Sequence, residues 1–413
     1  MTTTAVPTVP RRARAPTRRL RVAQVVTRLS AGAGVITLRG SLALDPSRYE
    51  ITIFAAEGGL LTEDAQRAGL TVVELQQMAV GRGIYPGLDR RALRELRAHL
   101  ERGEFDLVHT HSAKAGALGR IAARRCGVPG VIHTFHGFPF HNFQSLPVRK
   151  SLIAIERRLG RITDFFLAAG TETAAEAVRL KLAPPDRVRA FATVPLADSI
   201  EPVSEVTRRR ARAALGIPED ARVVGTVGRL DAQKSPSDLV AAIAALGRTD
   251  VYTVWVGGGS LLEKTQRLIV RSGLNERFML LGDRKDVPTL LPAFDVFALS
   301  SLYEGLPCAL VEAMTCGIPV VATAVNSVSE AVISGRTGLL ARPSDPASLA
   351  RALAYALDHP DEAMRMAEAA REHVASRCRS DVLGEDFEQA YEIALRDSRV
   401  GVGRPSSHAY GPH

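Results

Sequence analysis

The chain has 413 residues, 46% hydrophobic and 23% charged. That is too long for one ordinary domain and suits two of about 200 residues each, with a soluble globular balance. The formal charge of +9 points first to nucleic acid, but six arginines lie in residues 1–21 (Arg11, Arg12, Arg14, Arg18, Arg19, Arg21), and Arg399 and Arg404 lie in 398–413. Neither stretch holds an acid, so the body between them is close to neutral and no nucleic-acid partner is expected.

Residues 1–20 lack the apolar core of a secretory signal and read as a disordered basic tail, either simply solvated or in contact with anionic lipid. From 21 onward short β-branched runs at 21–27, 50–55, 71–75, 106–110, 130–135 and 164–169 are separated by amphipathic stretches such as 89–102 and 148–161. This is the βαβ rhythm of a parallel sheet covered on both faces. The rhythm weakens at 193–220, where prolines flank an Arg-rich segment, and a hinge is placed near 195–202. It restarts with runs at 222–228, 251–257, 277–282, 295–300 and 319–324 and helical patterns at 237–246, 261–272 and 306–316. The expected division is a first α/β domain over 21–200, a second over 201–380, a terminal helix over 381–397 that crosses back or stays, and a disordered tail over 398–413. Two doubly wound domains would place the carboxyl ends of both sheets beside one cleft, where ligands of open α/β sheets bind.

No run of 18 apolar residues occurs, so a membrane-spanning helix is not expected. The four cysteines, Cys126, Cys308, Cys316 and Cys378, form no CxxC pair. That argues against a disulfide scaffold or zinc cluster and for a cytoplasmic location. The P-loop, the dinucleotide fingerprint, the hydrolase elbow and D-x-D are all missing. What remains is a phosphate site built without metal. Arg229 and Lys234 stand at the end of a strand and can clamp a diphosphate, one by a planar fork and the other as a point charge. A second strand ends before Gly305-Leu306-Pro307, where glycine permits close approach, proline suits a first helical turn and the helix start offers N–H groups to an anion. Glu304 and Glu312, eight residues apart, would repel an anion unless they accept hydrogen bonds from sugar hydroxyls.

These segments, with His109-Thr-His-Ser-Ala-Lys-Ala-Gly, Thr134-Phe-His136-Gly and Gly317-Ile-Pro-Val-Val-Ala, resemble the retaining glycosyltransferases of family 4, with a GT-B fold and an E-x7-E pair, over roughly residues 20–395. The resemblance implies that Arg229 and Lys234 neutralise the donor diphosphate and that Glu304 holds donor-sugar hydroxyls. It places Gly305, Leu306 and Pro307 near sugar and phosphate, Glu312 on the ribose, and His136 beside the reacting sugar. Gly32 and Gly34 match the glycine-rich first loop that approaches donor and acceptor. The chain departs from the family pattern at Ala33, at Gly170-Thr171-Glu172 and at Asn326-Ser327. A UDP- or GDP-sugar donor, a glycan or lipid-linked acceptor, no metal and no other cofactor follow from the resemblance. A nucleotide-sugar 2-epimerase and a non-catalytic sugar-nucleotide binder are the alternatives.

Histidines at 109, 111, 133 and 136 invite a metal reading, but period-2 alternation puts His109 and His111 on one face and His133 and His136 on opposite ones. His133 is expected to be packed. His111 and His141 are placed on the acceptor side, His141 beside Phe138, Phe140 and Phe143, which alternatively form a hydrophobic lid. The 89–102 helix carries Arg90, Arg91, Arg94 and Arg97 beside Leu93, Leu96 and Leu100. It either docks on an anionic membrane at the inner face or covers the sheet with its leucines inward.

Overall fold

Strands such as Leu107–His111 and Gly130–Phe135 are buried at every position, the pattern of a parallel sheet with helices on both faces. The computed structural model describes residues 18–78, 85–141, 144–195 and 200–401. Its first sheet contains β1 (Leu20–Arg28), β2 (Tyr49–Ala56), β3 (Thr71–Leu75), β4 (Leu107–His111), β5 (Gly130–Phe135), β6 (Phe165–Ala169) and β7 (Val188–Phe191), in the order β3-β2-β1-β4-β5-β6-β7. The second contains β8 (Arg222–Val227), β9 (Val251–Val256), β10 (Phe278–Leu280), β11 (Val296–Leu299), β12 (Val320–Thr323) and β13 (Leu339–Ala341), in the order β10-β9-β8-β11-β12-β13. All ladder pairs are parallel. The fold is therefore α/β, with two Rossmann-like halves. In each, the strand order reverses beside the first strand, between β1 and β4 and between β8 and β11. The crevices at those reversals are where a ligand fits.

The Arg-rich segment near the expected hinge is a helix, Glu205–Leu215. Ser204 and Thr207 cap it reciprocally, while Arg208 and Arg212 pair with Asp295 at the start of β11. Four of the hinge positions, 196–199, lie outside the described residues, as do 1–17 and 402–413 of the two tails. Arg18 is described and donates to Asp106 at 2.8–2.9 Å. The terminal helix runs Ser380–Gly401, longer than its amphipathic pattern suggests. It crosses back, and its Leu383, Phe387, Ala390, Tyr391 and Ala394 complete the core of the first sheet with Val22, Leu107 and Ile132.

The Pro86–Gly103 helix turns Leu96 and Leu100 into the core with Ala92. Arg90, Arg91 and Arg94 stay exposed, and Arg97 pairs with Glu101. Leu96 and Leu100 are thus not available to a membrane, while Leu88 stays exposed. Among the described residues no helix is long and apolar enough to cross one.

Candidate active site

The segments that follow β1, β5, β8 and β11 converge on one cleft. On the second half, β8 ends at Val227 and the chain turns through Gly228 into Arg229, whose Nη1 lies 3.0 Å from Asp231 Oδ2. Arg229 is 53% exposed and stands at the lip. Asp231 also accepts from Ser260 Oγ at 2.9 Å, and Leu230 N donates to Gly258 O. A Cβ at Gly259 would lie 2.5 Å from Leu230 O. The Gly257-Gly258-Gly259 segment, which has the wrong spacing for a dinucleotide site, therefore serves as the bed of the Arg229 loop.

Lys234 Nζ lies 2.6 Å from Glu304 Oε1, a pairing the sequence did not announce. Ser301 Oγ donates to the same oxygen at 2.6 Å and Gln233 Nε2 to the other at 3.3 Å. The buried Glu304 carboxylate is thus fixed in place. Its backbone N–H donates to Asn326 Oδ1 at 3.2 Å. Pro307 is the residue before the Cys308–Cys316 helix rather than inside its first turn. The N–H groups of Cys308, Ala309 and Leu310 are the ones a helix start leaves open to an anion. Glu312 is buried on the same helix. Burial and then the nearby Glu312 carboxylate push the Cys308 thiol up, so it stays protonated beside the anion site.

On the first half, the glycine-rich segment is a helix start rather than a loop: Ala31–Ala43 begins directly after Ser30. Gly32 faces the cleft, its carbonyl 3.8 Å from Cys308 Sγ. Gly34 turns inward, and a Cβ there would lie 2.9 Å from the Leu29 carbonyl carbon. Its small size serves that packing against the Leu29 backbone. Ala33 packs against the first core.

His136 follows β5 directly. Its Nε2 lies 3.0 Å from His111 Nδ1, and His111 Nε2 lies 2.8 Å from Gln24 Oε1. His111 is fully buried and cannot meet an acceptor; the acceptor-side assignment is corrected to a support beneath His136. The chain continues from Gln24 Nε2 to Tyr391 Oη at 2.9 Å, from Tyr391 Oη to His109 Nδ1 at 3.0 Å, and from His109 Nε2 to Thr134 Oγ1 at 2.7 Å. An amide oxygen only accepts, so His111 donates through Nε2 and its Nδ1 accepts from His136 Nε2. His136 is left with an unprotonated Nδ1. Burial lowers His136 and His109 to about 3, and burial followed by His109 and His136 lowers His111. Both rings of the pair are therefore neutral near pH 7. His133 is packed as expected, 2.9 Å from Thr110 Oγ1. Among the described residues no group of three or more His, Cys, Asp or Glu is placed to hold a metal.

The two halves touch closely. A Cβ at Gly305 would lie 2.5 Å from His136 O, so the glycine admits the opposite backbone. Thr193 Oγ1 donates to Leu306 O at 2.7 Å, and the rings of His141 and Tyr303 stack at 4.4 Å. Phe138 and Phe140 stack at 5.0 Å; Phe143 lies outside the described residues. Two departures from the family pattern meet here. A Cβ at Gly170 would lie 2.2 Å from Ser327 Oγ. The small residue on one half thus makes room for the side chain gained on the other. Glu330 then accepts from the N–H groups of Thr171 and Glu172, each at 2.9 Å. Burial alone would raise this carboxyl, but the Glu172 and Thr171 amides outweigh it and hold it below its ordinary value.

Residues 31–193 match the "Glycosyl transferase 4-like domain" family and residues 207–373 match "Glycosyl transferases group 1". A D-inositol 3-phosphate glycosyltransferase of Streptomyces scabiei is 32% identical over 72% of this chain and 70% of its own length. The chain belongs to the family 4-like glycosyltransferases. A UDP-Gal:alpha-D-GlcNAc-diphosphoundecaprenol alpha-1,3-galactosyltransferase of Escherichia coli is 29% identical over 80% of this glycosyltransferase and 86% of its own length. Among solved structures, Anabaena HepE in complex with UDP and glucose superposes with a TM-score of 0.78 at 19% identity, covering 91% of this chain and all of that one. Sucrose-phosphate synthase from Thermosynechococcus elongatus gives 0.77 at 20% identity, covering 92% of this chain and all of that one. These likenesses show the GT-B fold.

Proposed function

We propose that the enzyme moves a hexose from a nucleoside-diphosphate sugar to a glycan, lipid-linked or small-molecule acceptor, with retention at the anomeric carbon and without metal. The observation that carries this reading is the fixed set of Lys234, Glu304 and the open start of the Cys308–Cys316 helix, facing His136 across one cleft. The diphosphate would lie between Arg229, Lys234 and the helix start. These groups offset the charge that grows on the leaving phosphate, because permanent cations and oriented amides need no reorganisation as the bond breaks. Glu304 would accept from sugar hydroxyls and Glu312 from the ribose. His136, neutral and with Nδ1 free of a proton, accepts a hydroxyl hydrogen of the reacting sugar. The C1–O bond to the β-phosphate breaks, the acceptor oxygen adds at C1 from the same face, and its proton passes to a β-phosphate oxygen.

UDP as donor base is supported by the HepE complex with UDP and glucose. Glycoconjugate assembly on a lipid-linked acceptor is supported by the named substrate of the Escherichia coli relative. The test is turnover of UDP- and GDP-sugars in excess EDTA. Hydrolysis or transfer that persists with α-configured product is expected; activity abolished by chelator and restored by Mg²⁺ or Mn²⁺, or an inverted product, refutes the mechanism.

A further inference from the structure

A helix of the first half borrows its cap from the second. The Thr171–Arg179 helix begins after Gly170, whose φ of 95° and missing side chain leave the first N–H groups without a local acceptor. Both carboxylate oxygens of Glu330 fill that gap: Oε2 accepts from Thr171 N and Oε1 from Glu172 N, each at 2.9 Å. We propose that Glu330 is a positioning residue for transfer: its carboxylate latches the two halves together and thereby sets Glu304 against His136. The kinetic part of this inference rests on the donor-side reading above; the latch itself does not.

The segment 326–330 is held at both ends. At one end Asn326 Oδ1 accepts from the Glu304 N–H at 3.2 Å. At the other, Glu330 grips the corner where β6 passes into its helix, and β6 pairs with β5, which leads into His136. One short segment thus spans from the carboxylate of one half to the histidine strand of the other. Between its ends Ser327 is fully buried, with Oγ 3.3 Å from Thr173 Oγ1. His373 Nε2 lies 3.0 Å from the Glu330 carbonyl oxygen and donates to it, because a carbonyl only accepts. That bond ties the segment to the Pro360–Ala375 helix of the second half.

Other contacts between the halves hold less firmly. Lys285 and Glu63 lie 3.4 Å apart but are 62% and 72% exposed, where an ion pair contributes little. Thr193 donates to Leu306 through a neutral bond, and it lies beside the expected hinge, where a rotation of the halves displaces it least. The stack of His141 on Tyr303 and the approach of Gly305 to His136 are contacts of shape. Of these contacts, that of Glu330 alone joins an ionised carboxylate to two oriented amides at a positive helix end. Its half-buried setting limits screening by salt.

The experiment compares the full chain with Glu330→Ala, Glu330→Gln and Thr171→Pro. Proline is tolerated at the first position of a helix, so Thr171→Pro deletes one latch donor and spares the helix. Small-angle scattering reads the opening of the halves, and turnover of UDP-glucose and UDP-galactose reads the alignment. Glu330→Ala loses two charge-assisted bonds, so its closed-to-open ratio is expected to fall about a hundredfold or more and its radius of gyration to rise. Glu330→Gln keeps one acceptor and Thr171→Pro one donor, and each is expected to fall about tenfold. The UDP contacts lie on the second half, so UDP affinity and KM are expected to hold within about twofold while kcat falls with the closed fraction. Adding Thr171→Pro to Glu330→Ala is expected to change nothing more, since the bond is already gone. A Glu330→Ala protein with the wild-type radius of gyration, a raised KM at wild-type kcat, or a double variant worse than Glu330→Ala by the full effect of Thr171→Pro overturns the proposal. The two sites lie on different halves, so a folding defect in one variant leaves the other to decide. A wild type that neither binds UDP nor turns over either sugar nucleotide refutes the donor reading instead, and the scattering comparison still decides the latch.

Discussion

Tyr391→Phe tests the hydrogen-bond chain under His136 from its far end. The substitution keeps the ring in the core with Phe387 and Tyr49 and removes only the hydroxyl. Gln24 Nε2 then loses its acceptor and His109 Nδ1 its donor, both in a fully buried setting. Each orphaned buried group costs about 1–3 kcal/mol, so the variant is expected to lose about 3 kcal/mol of stability. The Gln24 amide is also freed to turn over. Turned, it presents N–H to His111, which must then protonate Nδ1 and can no longer accept from His136. Urea denaturation measures the first effect, and ¹⁵N NMR of the imidazoles measures the second as a mixture of His136 tautomers. Tyr49→Phe is the control. The Tyr49 hydroxyl is buried without a partner among the described residues, so its removal is expected to be neutral or to stabilise by about 1 kcal/mol. A Tyr391→Phe protein as stable as wild type, with His136 still protonated only on Nε2, would show that the chain does not act as derived.

Gly305→Ala places a methyl 2.5 Å from His136 O; UDP affinity is expected to hold while sugar turnover falls about a hundredfold through misplacement across the cleft, and wild-type turnover rejects that contact as functional. Glu156→Gln leaves the Arg120 guanidinium buried without its countercharge, which is expected to cost about 3–5 kcal/mol in urea denaturation; a loss under about 1 kcal/mol refutes a firmly buried pair. The histidines give a pH dependence. Their folded values lie below the unfolded one near 6.5, so the unfolded chain takes up the proton first. Stability is therefore full above that value and falls as pH drops toward about 3, by about 1.4 kcal/mol per unit for each histidine. Equal urea midpoints at pH 7 and pH 5 count against this.

The β-branched runs made most of the two sheets legible, because central strands of a parallel sheet must be apolar on both faces. The two edge strands at the far ends, β7 and β13, escaped. Val188–Phe191 carries Arg189, which pairs with Asp386 of the terminal helix, and Leu339–Ala341 is only three residues long. Period-2 alternation put His109 and His111 on one face, and their rings do lie 4.3 Å apart. Alternation does not say what covers that face, and the cover comes from Phe387 and Tyr391, far along the chain. The Arg-rich segment beside the expected hinge read as a break in the rhythm because its charges hide a capping signal at Ser204. The Gly170–Ser327 exchange could not be read from one sequence, since each residue alone is an unremarkable departure.

The terminal helix has a consequence for how the chain is made. The last strand of the first sheet ends at Phe191 and the helix that covers that sheet begins at Ser380. At roughly 5–20 residues per second, translation takes about 10–40 s to cross the interval of roughly 190 residues. For that time one face of the first sheet, with Gln24 and His109 on it, emerges from the ribosome without its cover. The second sheet meets no such delay, because its strands and helices are complete before the terminal helix appears. The half that is synthesised first is thus the half that matures last, and a nascent chain stalled short of residue 380 carries His136 on an unfinished core.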